Sequence, residues 1–351
     1  MSHKAMTIAI DAMGGDRGVK VTVLAAVNMV KRNPQLSLIL VGDEGKIQRR
    51  LAHYKMANHD RLLVHHASEV VAMDEPPALA LRGKKDSSMR VSINLVKEGK
   101  ADAAVSAGNT GALMATARFV LKMIPGLDRP AIVYAIPALN DQGQLTSVYM
   151  LDLGANIECT SEHLFEFAVM GSVLAAGIKN IDQPRVSLLN IGEEDIKGLD
   201  YIKEAAQKLS NTPALNYTGF IEGNHIFQDK ADVVVCDGFV GNVALKTMEG
   251  AVRFVVNNMK QAFNTSLLTK CLSIFALPVL LHLKKKLDIR RFNGASFLGL
   301  RGIVIKSHGS ADEVAFATAI EEAMKEVEKD IPNQIRHSVV DILGTTDDTE
   351  R

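Results

Sequence analysis

Short apolar runs that stop on glycine, aspartate, serine or asparagine, each followed by a stretch of helical spacing, recur along this chain. This rhythm constrains the fold more than any other feature. Residues 7–10 end on Asp11-Ala12-Met13-Gly14-Gly15-Asp16, and residues 19–31 then repeat Val19, Val23, Ala26, Val27 and Val30 at three- and four-residue steps. Residues 36–41 end on Gly42-Asp43 before the polar-faced segment 44–57, and 62–66 form a third apolar run. Strand and helix in alternation predict an α/β chain, a Rossmann-like αβα sandwich whose mostly parallel sheet is covered by helices on both faces.

The rhythm breaks once. Residues 72–89 hold Asp74-Glu75-Pro76-Pro77 and Arg82-Gly83-Lys84-Lys85-Asp86-Ser87-Ser88, which read as a loop with a basic turn. A helix at 91–97 leads to the strand 101–105, the turn Ser106-Ala107-Gly108-Asn109-Thr110-Gly111 and a helix at 113–123. Strands follow at 131–136 and at 147–151, the second closing on Asp152-Leu153-Gly154-Ala155-Asn156, with a helix at 161–177 behind it. Next come strand 186–190, the turn 191–198, helix 199–209 and the segment 216–223. Strand 232–236 ends on Asp237-Gly238-Phe239-Val240-Gly241-Asn242 and opens a long helix. Strand 302–306 ends on Ser307-His308-Gly309-Ser310 before a closing helix at 311–330. The expected layout is one domain over 1–333, with room for two lobes and a cleft between them, a helical excursion at 255–291 and a frayed tail at 334–351, the fraying setting in from Ile331.

In a parallel α/β sheet the strand ends share one edge, where ligands bind. The turns after 10, 105, 151, 236 and 306 therefore predict an anion cradle, with backbone N–H groups at helix N-termini and glycines that let a ligand approach the main chain. Asn109 or Thr110 suits a helix cap. Asp11, Asp16, Asp152 and Asp237 would repel an anion, so cations must offset them. Lys84, Lys85, Lys197, Lys246, Lys306 and His308 are the candidates, His308 being either the titrating group or a turn histidine. No Walker sequence, Gly-x-Gly-x-x-Gly turn or Gly-x-Ser-x-Gly elbow occurs, and Cys159 reads better as structural than as a nucleophile. The chemistry left to such a cradle is to hold phosphate itself.

Charge is balanced, 40 Lys+Arg against 40 Asp+Glu, which argues against general nucleic-acid binding. Three scattered cysteines fit a reducing compartment, and no apolar signal region precedes the first strand, so a cytoplasmic protein is expected. The excursion is amphipathic at 259–275 and apolar all round at 274–281, too short to cross a bilayer, with Pro278 to kink it. Leu272, Ile274, Phe275, Leu277 and Leu280 beside Lys284-Lys285-Lys286 suit the surface of an anionic membrane; a core or dimer helix is the alternative.

The first five of these motifs in chain order, Ile8 to Asp16, Ser106 to Ala112, Asp152 to Asn156, Asn190-Ile191-Gly192-Glu193-Glu194 and Asp237 to Asn242, together resemble the bacterial PlsX family of acyl-[acyl-carrier-protein]:phosphate acyltransferases, co-linearly from about 7 to 329. The resemblance implies a fold similar to phosphotransacetylases and isocitrate/isopropylmalate dehydrogenases, a homodimer and peripheral membrane association. It implies attack of inorganic phosphate on the thioester of a fatty acyl-carrier protein, giving acyl phosphate for a membrane glycerol-3-phosphate acyltransferase at the start of phospholipid synthesis. No metal, cofactor or covalent intermediate is required. For that reaction the catalytic candidates among the residues singled out above are Lys246, His308, Asn109 and Asp11. Substrate contacts are expected at Gly14, Gly15, Asp16, Lys84, Lys85, Ser106, Gly108, Thr110, Gly111, Asp152, Asn156, Asp237, Gly238, Asn242, Ser307 and Ser310. A phosphotransacetylase acting on acyl-CoA and a non-catalytic phosphate sensor are the rival readings.

Overall fold

The apolar runs become strands of one 11-stranded sheet in a computed structural model that describes residues 5–266, 269, 275–278 and 289–344. In chain order the elements are β1 (Met6–Asp11), α1 (Val19–Arg32), β2 (Leu36–Gly42), α2 (Glu44–His53), β3 (Leu62–His66), α3 (Pro77–Gly83), α4 (Ser88–Lys97), β4 (Ala103–Ser106) and α5 (Thr110–Leu121). There follow β5 (Ala131–Leu139), β6 (Leu145–Leu151), α6 (Ser161–Lys179), β7 (Arg185–Leu189), α7 (Asp200–Ser210), β8 (Asn216–Ile221), β9 (Val233–Val235) and α8 (Gly238–Phe263). The last are β10 (Ala295–Leu298), β11 (Ile303–Lys306), α9 (Glu313–Lys329) and α10 (Ile331–Leu343).

The spatial order is β3-β2-β1-β4-β11-β10-β5-β6-β9-β7-β8. Neighbours are parallel from β3 to β11, but β10 is antiparallel to both β11 and β5, and β6 is antiparallel to β5. From β6 onward the neighbours are parallel again. The β5–β6 hairpin therefore reverses β6, β9, β7 and β8 relative to the first half. Their C-terminal ends lie on the opposite edge from those of β1, β4 and β11, which corrects the expectation of a single shared edge.

Side chains alternate across each strand. Ile8, Ile10, Val105, Ile303 and Ile305 join the core under α1 and α9, while Ala9 packs towards α4 and Ala104 and Val304 towards α5. In the second half Val133, Tyr149, Leu151 and Val233 meet α6, and Ile132, Ile136, Met150 and Val234 face α5 and α8. The interior strands of the sheet are thus buried on both faces, and α6 is buried along most of its length because it lies between the sheet and α10. That contact corrects the frayed tail: Ile331, Ile335 and Val339, spaced by one helical turn, are buried against α6. Residues 77–83, read as loop, form α3 with proline in its first turn, where the missing N–H costs nothing. Among the described residues no helix is long and apolar enough to cross a membrane.

Candidate active site

Three strand ends of the first half converge. The Ser307 N–H donates to the Ser106 carbonyl (2.8 Å) and the Asp16 N–H to the Gly309 carbonyl (2.9 Å), which ties the turns after β1, β4 and β11 together. Asp11 is the post under them. It is 1% exposed and accepts Oγ–H bonds from Ser106 and Ser88, both 2.6 Å, and N–H bonds from Gly14 and Met13. Burial raises its pKa first, and those four hydrogen bonds oppose the rise. Through bonds on both oxygens Asp11 ties the turns after β1 and β4 to the start of α4. Gly14 has to be glycine, because a Cβ there would stand 2.5 Å from Asp11 Oδ2, and Gly15 has φ +85° with Ala107 and Gly309 against it.

Asn109 caps α5, accepting from the Ala112 N–H (2.9 Å), and its amide donates to the carbonyls of Met73 and Glu75. It is a structural clamp on the 73–77 loop. The N–H groups of Thr110 and Gly111 sit in the first turn of α5, where the helix has no acceptor for them. Below this mouth lies Lys306, 8% exposed, its Nζ donating to the carbonyls of Ala107 (3.4 Å) and Ser307. Burial lowers its pKa to about 8, with Asp11 and Asp16 opposing and Lys246 reinforcing the fall. Strand alternation puts Lys306 on the same face as Val304, and likewise Ser106 with Ala104 and Asp11 with Ala9.

His308 is oriented by its own turn. The Ser310 N–H donates to Nδ1 (3.2 Å) and Ser310 Oγ lies 2.8 Å from the same nitrogen. A backbone N–H only donates, so Nδ1 carries the lone pair and the neutral ring bears its proton on Nε2. The ring's pKa is lowered, by desolvation first, with Lys306 and Lys246 adding and Glu249 and Asp16 opposing. His308 therefore offers a hydrogen-bond donor, which argues against its reading as a base. Asn293 holds the turn from below, donating to Ser307 Oγ (2.8 Å) and accepting from the His308 N–H (3.1 Å). Lys246, on α8, pairs with Glu249 at 2.9 Å and acts on Lys306 and His308 through space.

The other expected contacts lie elsewhere. Asp152 is fully buried, accepting from the N–H groups of Ile132, Ala155 and Asn156 and from the Asn156 amide, which also donates to the Pro130 carbonyl. Asp237 caps α8 through the Val240 N–H and accepts from Tyr201 Oη, and the Gly238 N–H donates to the Asn156 carbonyl. Asp152, Asn156, Asp237 and Gly238 build the start of α8 on the opposite sheet edge, with Asn242 exposed one turn along it. Lys84 pairs with Glu69 at 3.8 Å and Lys85 is exposed. Among the described residues no hydrogen bond or ion pair links either lysine to the three turns. Burial pushes the Cys159 thiol up to about 11, against a nucleophile. Phe275 and Leu277 are exposed, whereas Leu272, Ile274, Leu280, Lys284, Lys285 and Lys286 lie outside the described residues. Asn293 and Glu249 were missed by motif reading, as was the bond to Asp11 from Ser88, a residue quoted in the basic turn. Of these only Asn293-Gly294, a turn pair before a strand, carried a local signal.

Residues 6–334 match the sequence model of a family described as fatty acid synthesis protein. The phosphate acyltransferases of Francisella philomiragia subsp. philomiragia and Francisella tularensis subsp. tularensis are each 57% identical over 344 residues, 96% of this chain and 99% of theirs. A phosphotransacetylase from Streptococcus pyogenes shares the fold with a TM-score of 0.62 at 18% identity, over 92% of this chain and 94% of that one. A 4-hydroxythreonine-4-phosphate dehydrogenase from Klebsiella pneumoniae does so with a TM-score of 0.52 at 15% identity, over 93% and 100%.

Proposed function

The chain belongs to the fatty acid synthesis protein family, the PlsX family its motifs resemble, and from that premise we propose that it is a phosphate acyltransferase making acyl phosphate from inorganic phosphate and fatty acyl-[acyl-carrier protein]. The observation that carries this reading is the convergence of three hydrogen-bonded turns over the buried Lys306, beside relatives named for this activity at 57% identity. An oxygen of phosphate attacks the thioester carbon, the carbonyl oxygen takes up negative charge, and the C–S bond breaks to release the carrier thiolate. A thiol pKa near ~8.5 makes that a fair leaving group without a strong acid.

Holding phosphate in line with the carbonyl supplies much of the rate. The seat we assign is built by Gly14, Gly15, Asp16, Ser106, Gly108, Thr110, Gly111, Ser307 and Ser310. Lys306 and the His308 Nε2–H donate into it, Asn109 and Asp11 hold its walls, and Lys246 adds positive potential from α8. The acidic carrier protein, a homodimeric assembly, peripheral attachment to the cytoplasmic membrane face through the 255–291 excursion and delivery to a membrane glycerol-3-phosphate acyltransferase complete the proposal. Exposed Phe275 and Leu277 support the membrane part.

Incubation with phosphate and palmitoyl-carrier protein, with direct mass detection of palmitoyl phosphate, tests the activity. Palmitoyl phosphate formed only when enzyme and phosphate are both present is the expected result. Turnover of acetyl-CoA but not of the carrier substrate would instead make the chain a short-chain phosphotransacetylase.

A further inference from the structure

We propose that the space between α8 and the β5–β6–β7 face is the seat of the substrate's acyl chain, entered from the phosphate site along β5; this rests on the acyl-transfer reading above. The space is a cavity of about 640 Å³, within the roughly 300–1,000 Å³ of sites that enclose small ligands. Among the described residues every side chain around it apart from Thr247 is apolar, with Ile136 and Met150 on the floor, Ile226 and Phe227 at the side and Leu245 and Met248 on the roof. Such a lining has nothing to offer a phosphate, a pantetheine amide or a nucleotide. It suits hydrocarbon.

Its position relative to the reacting groups follows from register. Lys306 pairs with Ala295 across β10, and Ser296 pairs with Val133, so Ala295 lies level with Tyr134 on β5. Tyr134 belongs to the same core face as Val304 and hence Lys306, and Ile136 follows it two residues on, on the same face. Two strand spacings and two residues of rise separate Lys306 from the cavity floor, about 10 Å across and about 7 Å along. One helix roofs both places. Lys246 and Glu249 act on His308, Glu249 also on Tyr134, while Leu245 and Met248 line the cavity one position away. A chain whose carbonyl lies at the seat thus finds a continuous apolar wall past Tyr134 into the cavity. The alternative occupant is a second copy of this chain.

The test is a chain-length profile with octanoyl- and palmitoyl-carrier protein, combined with direct binding of the fluorescent eighteen-carbon cis-parinaric acid. Each methylene that leaves water is worth about fourfold in affinity, so wild-type kcat/KM should rise at least 100-fold from octanoyl to palmitoyl. Ala251→Phe narrows the cavity from an exposed helix position, and Val252→Trp is the second variant should the first fail to fold. Either should lower palmitoyl kcat/KM by 30-fold or more and octanoyl by less than threefold, leave the phosphate KM in place, and weaken parinaric acid binding at least tenfold. Equal losses at both chain lengths, undiminished parinaric acid binding, or a change of oligomeric state with unchanged chain preference would overturn the proposal. If the wild type made no acyl phosphate from any carrier, the acyl-transfer reading would fail, and binding of the probe would still decide the cavity's role.

Discussion

Replacing Lys306 by Met removes a charge and keeps an unbranched stem of similar length. Burial holds the lysine's folded pKa at about 8 against an ordinary 10.5. Between these values the unfolded chain binds the proton and the folded chain releases it, so wild-type stability rises as pH climbs from about 8 to 10.5. Below pH 8 the full cost of the buried ammonium is present, about 3 kcal/mol at ~1.4 kcal/mol per unit. Lys306→Met should therefore be more stable than wild type at pH 7, by up to ~3 kcal/mol, and the gain should shrink towards zero by pH 10.5. Activity should move the other way. Loss of a charged hydrogen bond to phosphate costs about 1.5–3 kcal/mol, roughly a 10- to 150-fold rise in phosphate KM. Denaturant melts at pH 7 and 9.5 read the first effect, and initial rates across phosphate concentrations read the second. Wild-type phosphate binding should also take up protons near pH 8, visible as buffer-dependent binding heats. A variant less stable than wild type at pH 7, with a phosphate KM within twofold, would refute the argument, since Lys306 would then be a packing residue with no ligand to meet.

Glu326 is 1% exposed, accepts from Ser296 Oγ at 3.0 Å, and is held at about 8 by burial and then by Glu322. Because the folded acid keeps its proton, Glu326 should lower stability by about 1.4 kcal/mol per unit from pH 4.5 towards 8, and Glu326→Gln should flatten the stability profile by that amount in urea melts run across the range. Asp237→Ala removes the cap of α8 and the acceptor of Tyr201, so it should cost about 1–2 kcal/mol of stability with phosphate KM moved less than threefold. A tenfold rise in KM would return Asp237 to the substrate. Asn293→Ala frees the Ser307 hydroxyl and the His308 N–H together and should raise phosphate KM at least fivefold, restored in part by Asn293→Ser.

Most strands were legible because an apolar run buried on both faces leaves a pattern that no neighbour is needed to interpret. What escaped reading depends on partners. α10 buries Ile331, Ile335 and Val339 and packs Ile342 and Leu343 in part, and their spacing means little until α6 lies beside it. β10 is four residues between Gly294 and Gly299, both with positive φ, so its flanks read as turn and its length as nothing. α3 begins on prolines that mark loop ends as readily as helix starts.

The harder lesson concerns the acidic strand ends, which the motifs treated alike. The β5–β6 hairpin turns at residues 140–144, where Gly143 has φ +68°, and this one reversal moves every later strand of its half to the opposite direction. Asp152 and Asp237 end strands as Asp11 does, yet they reach the other edge and spend their oxygens on α8 and its approach. Asp11 spends its own on the three turns. All three accept hydrogen bonds on both oxygens from within the fold, and in the function proposed here such residues serve a motif by fixing a backbone turn. Lys306 is the reverse case. It follows three apolar residues at the end of a strand and stands in the sequence as one candidate cation among six, and the convergence of the turns above it is what singles it out as the counter-charge of the seat proposed here.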